Sequence, residues 1–320
     1  MNTISLQRAI HGFVLAKEAE GKSLKTTQWY QHFLLKFEQY LAKAAADSQL
    51  NAITAEQVRE FLKYLREPHP QFEQHRFRRQ VIQAASSPRT VQGAFTTLSV
   101  FFNWCFAEGL IERNPVANVK RPKLAKTIVP IFSRDELQAL LKACESGQDE
   151  SLTARNKAMI MVLLDTGIRL SELIGMRMDK LNVNESTAQV MGKGAKERAV
   201  FLGGYCKKII WRYITIFRPQ PHEGVQQVFL NADGTAMHAR RYQYILTTIG
   251  KHANVENVHP HRFRHTAAVE FLRNGGNVFA LQKMLGHTTL DMVRYYVELS
   301  QEDVKKVHKT ASPADNWKLG

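Results

Sequence analysis

Apolar positions in the first third of the chain recur at helical spacing. The stretch TTQWYQHFLLKFEQYLAKA (26–44) places large side chains on one face at intervals of three and four residues: Tyr30, Phe33, Leu34, Phe37 and Leu41. The stretch TAEQVREFLKYLRE (54–67) repeats the pattern with Val58, Phe61, Leu62 and Leu65. Such spacing predicts amphipathic helices that bury one face. Thr54 and Gln57 fit a capping box at the start of the second helix.

A third long helix is predicted to begin at Ser87-Pro88, an N-cap followed by proline at the first helical position. Gly109 ends this helix, and its buried stripe comprises Val91, Phe95, Leu98, Phe102 and Cys105. Between the second and third helices lies EPHPQFEQHRFRRQVIQAASS (67–87), which is polar and basic. We expect a loop there, or a loop that contains a short helix.

The second part of the chain changes from helical to strand-like spacing and back. Ser133 and Glu136 fit a capping box, and NKAMIMVLLDTGIRLSELIGM (156–176) predicts an apolar helix that breaks at Thr166-Gly167 and restarts. In STAQVMGKGAKERAVFLG (186–203), two strand-like runs flank a glycine-rich turn, which predicts a β-hairpin. From residue 237 the spacing is helical again. The predicted fold is mainly α, with an N-terminal helical bundle and a mostly α second domain that contains a small antiparallel β-sheet.

A basic stretch with two prolines, NVKRPKLAKTIVP (118–130), separates the two parts. We assign residues 1–118 to the helical domain, 119–126 to an interdomain linker, and 127–320 to the second domain with a C-terminal tail. Four cations of the linker suit contact with a phosphate backbone, and a solvated linker explains them equally well: Lys120, Arg121, Lys123 and Lys126.

The charge balance indicates the class of partner. The chain carries 44 Lys and Arg residues against 29 Asp and Glu, a formal net charge of +15. Residues 1–122 hold 16 basic and 10 acidic residues, and residues 123–320 hold 28 and 19. An excess in both parts favours nucleic acid, because cations that neutralise phosphates release counterions. A basic protein without such a partner is the alternative.

The cysteines and the hydropathy pattern bear on location. Cys105, Cys144 and Cys206 lie far apart, and no His/Cys group has zinc-ligand spacing. We expect buried thiols in a reducing compartment. The N-terminus does not resemble a signal peptide, and no run of about 18 apolar residues exists, so we expect a cytoplasmic protein without a membrane span.

Four short segments of the second part combine cations or titratable groups with small residues: DTGIRLSEL, MGKGAKER, HPHRFRHTAA and LGHTTLDMVRYY. Each has an ordinary structural explanation. Arg169 can pair with Glu172 three residues on, Lys193 can be a turn residue, and a helical histidine is more often structural than catalytic. Tyr295 and Tyr296 can be packing aromatics.

Together, the four segments supply the groups that phosphodiester transfer needs. Two arginines can clamp the non-bridging oxygens of a phosphate and stabilise the charge of the transition state. A tyrosine has an oxygen nucleophile with an ordinary pKa near ~10, so it needs cations and a nearby base. A lysine or histidine can protonate the departing sugar oxygen. These groups suffice without a metal or another cofactor.

The order of these motifs resembles the tyrosine recombinase (phage integrase) family. The motifs are Arg in TGIRLSEL, Lys in a GKGxKxR hairpin, HxxRH, LGH, and a Tyr nine residues after that His. The likeness covers about residues 132–297. The stretch SPRTVQGAFTTLSVFFNWCFAEGLIERNP (87–115) is similar to the family's SAM-like core-DNA-binding domain. The layout resembles two-domain Xer-type resolvers and mobile-element integrases.

The resemblance implies roles for matching positions in the first three segments. Arg169 and Arg264 are expected to clamp the phosphate. Lys193 is expected to protonate the leaving 5′ oxygen, with Lys196 as a less favoured candidate that more readily contacts the DNA backbone. His261 is expected to assist deprotonation of the nucleophile.

The same resemblance implies roles in the last segment. His287 is expected to donate a hydrogen bond to the phosphate, and Tyr296 is expected to be the nucleophile. Tyr295, eight residues after His287, is left as a packing residue. Glu172 matches the family's structural acid, which orients the first arginine.

The implied reaction is site-specific recombination of double-stranded DNA at inverted-repeat core sites, through a 3′-phosphotyrosine and a Holliday junction. The resemblance implies a homotetramer on DNA and a monomer or weak oligomer when free. Residues 301–320 are either a segment that docks on a neighbouring subunit or a frayed terminus. Further DNA contacts are expected at Lys120, Arg121, Lys123, Lys196, Arg76, Arg78 and Arg79.

Other functions fit parts of the pattern. A type IB topoisomerase-like enzyme would use the same tyrosine chemistry without strand exchange. A non-catalytic DNA-binding protein would use the fold alone, and a metal-dependent DDE-type transposase would need more acids near the cations than the sequence provides. Within the family, integration of a mobile element and resolution of DNA dimers both remain open, as do the target sequence and any partner recombinase.

Overall fold

A computed structural model of the chain describes residues 4–44, 49–71, 82–124, 130–146, 149–192 and 197–286, together with His308 and Ser312. The chain divides into two compact units, Met1–Thr127 and Ile128–Gly320. In the first unit, Val119 packs into the core, and the Gln92 side-chain amide donates to the Pro122 carbonyl oxygen at 3.0 Å. The described part of the predicted linker therefore lies against the first unit. The domain boundaries predicted above stay a prediction.

The described part of the first unit contains four α-helices around an aromatic core. They are α1 (Leu6–Ala19), α2 (Leu24–Lys43), α3 (Ala55–Tyr64) and α4 (Pro88–Ala107), with a 3₁₀ turn at Leu50–Ala52. Helices α2, α3 and α4 are the three that spacing predicts, whereas α1 has no predicted counterpart. Thr54 and Gln57 form the predicted capping box. Phe37 is fully buried, with its ring centroid 5.0 Å from that of Phe61 and 6.4 Å from that of Phe102.

A short β-ribbon corrects the expectation for residues 67–87. His69–Gln71 (β1) pairs antiparallel with Ile82–Ala84 (β2), so the prediction of a loop, with or without a short helix, was wrong for these residues. Strands of three residues are too short for an alternating pattern to be recognised. A long-range contact supports the ribbon: the His69 ring is buried, and its Nε2 lies 3.1 Å from Lys36 Nζ on α2.

The described part of the second unit is mostly helical. Its helices are α5 (Arg134–Ala143), α6 (Glu150–Thr166), α7 (Leu170–Ile174), α8 (Gly204–Arg212), α9 (Ala239–His252), α10 (Pro260–Arg273) and α11 (Val278–Leu285). A π-helical turn at Tyr213–Phe217 follows α8, and 3₁₀ turns lie at Cys144–Ser146 and Met178–Lys180. The apolar helix α6 packs against α8 and α10. The predicted return to helical spacing after residue 237 is confirmed.

The small sheet of the second unit has three antiparallel strands in the order β3 (Leu181–Asn182), β4 (Thr187–Met191) and β5 (Glu197–Phe201). Strands β4 and β5 form the predicted hairpin, in which Thr187 pairs with Phe201 and Met191 with Glu197. Strand β3 was not predicted. The core beneath the sheet contains Val190 and Val200, both buried.

Two further expectations concern burial and hydropathy. Cys105, Cys144 and Cys206 are free and buried, as predicted, and burial raises the pKa of the Cys105 and Cys144 thiols to about 12. Within the described ranges, no helix combines the length and apolarity that a membrane crossing requires. These thiols are therefore poor nucleophiles and behave as core residues.

Candidate active site

The break between α6 and α7 creates the first part of the site. Gly167 ends α6 in the left-handed conformation (φ 59°), which glycine adopts without steric cost. A Cβ atom on Gly167 would lie 2.8 Å from Leu285 Cδ2, so glycine also allows α11 to approach this turn closely. Two residues later, Arg169 is the N-cap of α7. The turn therefore places Arg169 beside the C-terminus of α11.

Glu172 is a buried carboxylate that two arginines share. Its side chain is 1% exposed. Its Oε1 accepts a hydrogen bond from Arg169 Nη1 at 2.9 Å, and its Oε2 accepts from the Arg169 backbone N–H and from Arg198 Nη2, both at 2.8 Å. A buried charge is costly unless it is paired. The expected contact between Glu172 and Arg169 is present, and Arg198 is a second partner that the sequence analysis did not single out.

Arg264 reaches the same turn from α10. Its guanidinium is buried and donates through Nη1 to the Gly167 carbonyl oxygen and through Nη2 to the Leu285 carbonyl oxygen, both at 2.7 Å. The helix begins at the His259 N-cap, with Pro260 at its first position. Arg264 therefore connects the end of α6 to the end of α11.

Three consecutive carbonyl oxygens at the end of α11 accept hydrogen bonds from three different arginines. Met284 O accepts from Arg198 Nη1 at 2.5 Å, Leu285 O accepts from Arg264 Nη2, and Gly286 O accepts from Arg169 Nη2 at 3.4 Å. The last carbonyls of a helix lack intrahelical partners and carry the negative end of its dipole. The end of α11 thus gathers the guanidinium groups into one cationic cluster.

The three histidines of the HPHRFRH segment differ in their surroundings. His261 is exposed on α10, and its ring centroid lies 6.5 Å from that of His259, whose Nδ1 accepts from the Arg262 backbone N–H. Burial, together with His261, His259 and Arg264, lowers the pKa of His265 to about 4. His265 is therefore neutral at pH 7, whereas His259 and His261 are both exposed and can be reached by solvent or a substrate.

Arg262 anchors α10 and was not among the predicted site residues. Its Nη2 donates to both carboxylate oxygens of Glu136 at 2.7 and 2.8 Å, and its Cζ lies 3.9 Å from the centroid of the Phe132 ring. Arg262 and Arg264 lie on the same helix but bind different partners. The segment therefore contains one structural arginine and one that belongs to the cationic cluster.

Several predicted site residues lie outside the described part of the chain. They are Lys193, Lys196, His287, Tyr295, Tyr296, Arg76, Arg78 and Arg79, and most of the 301–320 segment lies outside it as well. A described neighbour exists for three of them: Gly192 precedes Lys193, Glu197 follows Lys196, and Gly286 precedes His287. The structure therefore brings together Arg169 and Arg264, the two predicted clamp residues, and places His261 on the same helix as Arg264.

Each unit has a surface with several exposed cations. In the first unit, Lys120, Arg121 and Lys123 are exposed on either side of the buried Pro122. In the second unit, α9 contains no acidic residue and has an exposed face that the sequence motifs did not indicate. The exposed residues are Arg240, Arg241, Gln243, Tyr244, Thr247 and Lys251. The signal for this face is the helical spacing of the buried residues in HARRYQYILTTIGKH, which leaves the cations on the opposite side. Among the residues that the structure describes, no cluster of three His, Cys, Asp or Glu side chains is arranged to hold a metal ion.

Comparison with family models and curated proteins identifies relatives. Residues 131–303 match the model of the phage integrase family, and residues 10–121 match the phage integrase SAM-like domain. The tyrosine recombinases XerC of Staphylococcus aureus strains MRSA252 and bovine RF122 / ET3-1 are each 32% identical to this chain over 289 residues. That alignment covers 90% of this chain and 90% of each relative.

Solved structures of low sequence identity share the fold. The XerH site-specific recombinase bound to palindromic difH substrate has a TM-score of 0.69 at 21% identity, covering 93% of this chain and 82% of that chain. The Tn1549 transposon integrase in complex with a circular intermediate DNA has a TM-score of 0.71 at 16% identity, covering 92% and 95%. The family model matches more than half of the chain, and the XerC proteins match nearly all of it. The chain belongs to the phage integrase family of tyrosine recombinases.

Proposed function

We propose that this protein is a site-specific DNA recombinase that cleaves and rejoins strands through a 3′-phosphotyrosine at Tyr296. The observation that carries the proposal is the meeting of Arg169 and Arg264 at the end of α11, one residue before His287. A phosphodiester bound there would meet two guanidinium groups from two separate helical elements. Such groups stabilise the negative charge of a pentacoordinate transition state.

The chemical step balances without an external oxidant or nucleotide. The phenolic oxygen of Tyr296 attacks phosphorus while His261 assists removal of its proton. The bond to the 5′ oxygen breaks, and Lys193 supplies the proton that this oxygen takes up. His287 donates a hydrogen bond to a non-bridging oxygen. In the reverse direction, the 5′ hydroxyl of a partner strand attacks the phosphotyrosine, so the energy of the original bond is conserved.

The proposed substrate is double-stranded DNA with inverted-repeat core sites. The solved structures of similar fold include XerH bound to palindromic difH substrate, a lambda integrase dimer bound to a COC' core site and a lambda integrase tetramer bound to a Holliday junction. The net charge of +15, the exposed linker cations Lys120, Arg121 and Lys123, and the α9 face support phosphate contacts in both units. We propose contacts from Arg76, Arg78, Arg79 and Lys196 as well.

The proposed organisation follows from the same reasoning. Residues 1–118 form the core-DNA-binding domain, 119–126 the linker and 127–320 the catalytic domain. The protein works in the cytoplasm, where chromosomal and mobile DNA are accessible, and assembles as a homotetramer on two DNA sites. The reaction serves either resolution of DNA dimers or integration and excision of a mobile element.

The test uses DNA sites that the full-length protein itself selects from a random duplex library. A selected half-site with a nick close to the cleavage position loses its short downstream strand after cleavage, so the covalent complex accumulates. We expect a denaturation-resistant protein–DNA adduct with wild type and with the matched control Tyr295→Phe, and none with Tyr296→Phe. An adduct that forms with Tyr296→Phe would overturn the assignment of the nucleophile.

A further inference from the structure

Arg198 lies at an inward-facing position of strand β5. It pairs in register with Val190 on β4, and alternation along the strand places it on the same face as the buried Val200, whereas Glu197 and Ala199 are exposed. Its side chain is 15% exposed. A cation on the inner face of a strand is costly unless it is paired. Its partners therefore indicate what it does.

The first partner of Arg198 is the carboxylate that orients Arg169. Arg198 Nη2 donates to Glu172 Oε2, and the side chain of Arg169 binds only Oε1. Arg169 thus pairs with Glu172 through one carboxylate oxygen rather than through both. The two side-chain bonds of Arg169, to Glu172 and to Gly286 O, use only part of the donors of its guanidinium fork. The rest can serve a phosphate.

The degree of exposure separates the two arginines that share Glu172. The side chain of Arg169 is 33% exposed, about twice the value for Arg198. Of the two arginines that share Glu172, Arg169 is the more open to a DNA phosphate. Arg198 donates to Glu172 Oε2 and to Met284 O, so it is placed to act on Arg169 through their shared carboxylate.

The second partner of Arg198 is the end of α11. Arg198 Nη1 donates to Met284 O at 2.5 Å. Gly286 follows in the left-handed conformation (φ 65°), and a Cβ atom on it would lie 2.9 Å from Arg198 Nε and 3.0 Å from Cδ. Glycine at this position therefore leaves the space that the Arg198 side chain occupies. One guanidinium connects β5, α7 and the end of α11.

We propose that Arg198 is a positioning residue for strand cleavage. By binding Glu172 Oε2 and the Met284 carbonyl oxygen, it keeps donors of Arg169 available to the phosphate. Without Arg198, Arg169 can close on both oxygens of Glu172 as a bidentate pair, which withdraws donors from the substrate. Lysine cannot replace Arg198, because an ammonium group is a point charge without the planar fork that reaches two acceptors at once. The inference rests on the proposed function.

The first measurement compares Arg198→Lys with wild type in single-turnover cleavage of the nicked half-site at saturating enzyme. We expect the cleavage rate to fall about 10- to 100-fold, the effect expected when a catalytic group is misplaced. DNA affinity should stay within about twofold, because the Arg198 guanidinium is bound within the protein to Glu172 and Met284 O. The control is Arg273→Lys, an exposed arginine paired with Glu270, which should cleave at the wild-type rate. An unchanged rate for Arg198→Lys, or a loss of affinity that accounts for the slower reaction, would overturn the proposal.

The second measurement separates positioning of Arg169 from other roles. In an Arg169→Lys background, Arg198→Lys should slow cleavage less than about threefold, because residues that act through one another are not additive. If Arg198→Lys lowers the cleavage rate by the same factor in both backgrounds, the proposal is contradicted. Recovery of Arg198→Lys on a substrate with sulfur as the leaving 5′ atom would also contradict it, since a thiolate leaves without a proton and the defect would then lie in protonation.

Wild type and Arg198→Lys together distinguish failure of the proposed function from failure of the role of Arg198. Absence of cleavage by wild type would reject the proposed function, whereas normal cleavage by wild type and Arg198→Lys alike would reject only the role of Arg198. Thermal unfolding of each variant checks the fold. If Arg198→Lys shows no cooperative transition, Arg198→Gln, which keeps a donor without the charge, is measured in the same two backgrounds and judged by the same outcomes.

Discussion

The cores of the two units contain different kinds of residue. In the first unit, the largest buried side chains are aromatic, with Phe13, Phe33, Phe37 and Phe61 all at 2% exposure or less. In the second unit, the core also contains charge. Among the residues that the structure describes, every buried arginine and glutamate lies in the second unit. They are Arg155, Glu172, Arg262 and Arg264.

The core of the first unit serves packing alone, whereas the core of the second unit also holds charged residues of the candidate site. Burial of a charge costs several kcal/mol unless partners compensate for it, and an apolar replacement often stabilises a protein more. Charges that persist in a core therefore point to function or to structural specificity. Arg155 illustrates the second case, because it donates to Leu230 O and to the Asn156 side chain and is 3% exposed. By contrast, the described cluster at the end of α11 includes Arg169, whose side chain is 33% exposed.

The largest expected effect on stability comes from the aromatic core. Phe37→Ala removes a ring that touches Phe61 and Phe102, and we expect the free energy of unfolding to fall by about 3–5 kcal/mol. The measurement is denaturant unfolding. Cleavage per folded molecule should stay close to wild type. A loss of cleavage without a loss of stability would mean that the first unit contributes to the chemistry.

A smaller loss is expected when the shared carboxylate loses its charge. Glu172→Gln leaves two guanidinium groups without a counter-ion, and we expect unfolding free energy to fall by about 2–3 kcal/mol, together with slower cleavage. Glu270→Gln is the matched control, because Glu270 pairs with Arg273 on the surface, and it should cost less than about 1 kcal/mol. Equal losses in the two variants would show that the buried pairing has no special energetic role.

The smallest effect is a pH dependence from His265. Its pKa in the folded protein, about 4, lies below the ordinary value of 6.5, so the unfolded chain binds the proton more tightly. The stability that the neutral ring contributes is present above pH 6.5 and is lost as the pH falls towards 4. Between pH 7 and pH 5, we expect wild type to lose about 1 kcal/mol more than His265→Asn, after allowance for solvent screening. Parallel pH profiles of unfolding would contradict this.

Local patterns predicted most of the elements correctly. Helices α2, α3 and α4 and the hairpin β4–β5 follow from spacing and capping residues, because each has an amphipathic or alternating stretch long enough to recognise. The break at Gly167 follows from the conformational freedom of glycine. The ribbon β1–β2 was missed, since its strands are three residues long and its support from Lys36 comes from a distant helix.

The candidate site could be predicted only as a set of motifs. Sequence order and the family resemblance suggested that Arg169 and Arg264 belong together. They could not show that three successive carbonyls of α11 hold the cluster, since those contacts join residues such as Arg198 and Met284 that lie far apart in the chain. Arg198 itself carries a weak local signal, a cation at an inward position of a strand, which becomes informative only when its partners are known.

The most direct test of the central claim is to identify the residue that becomes linked to DNA. The covalent complex trapped on a nicked half-site would be digested with protease and nuclease, and the modified peptide would be sequenced by mass spectrometry. We expect a nucleotide attached through a 3′ phosphate to Tyr296. A nucleotide attached to any other side chain, or a cleaved site with no covalent intermediate, would contradict the claim that the arginine cluster activates phosphorus for attack by this tyrosine.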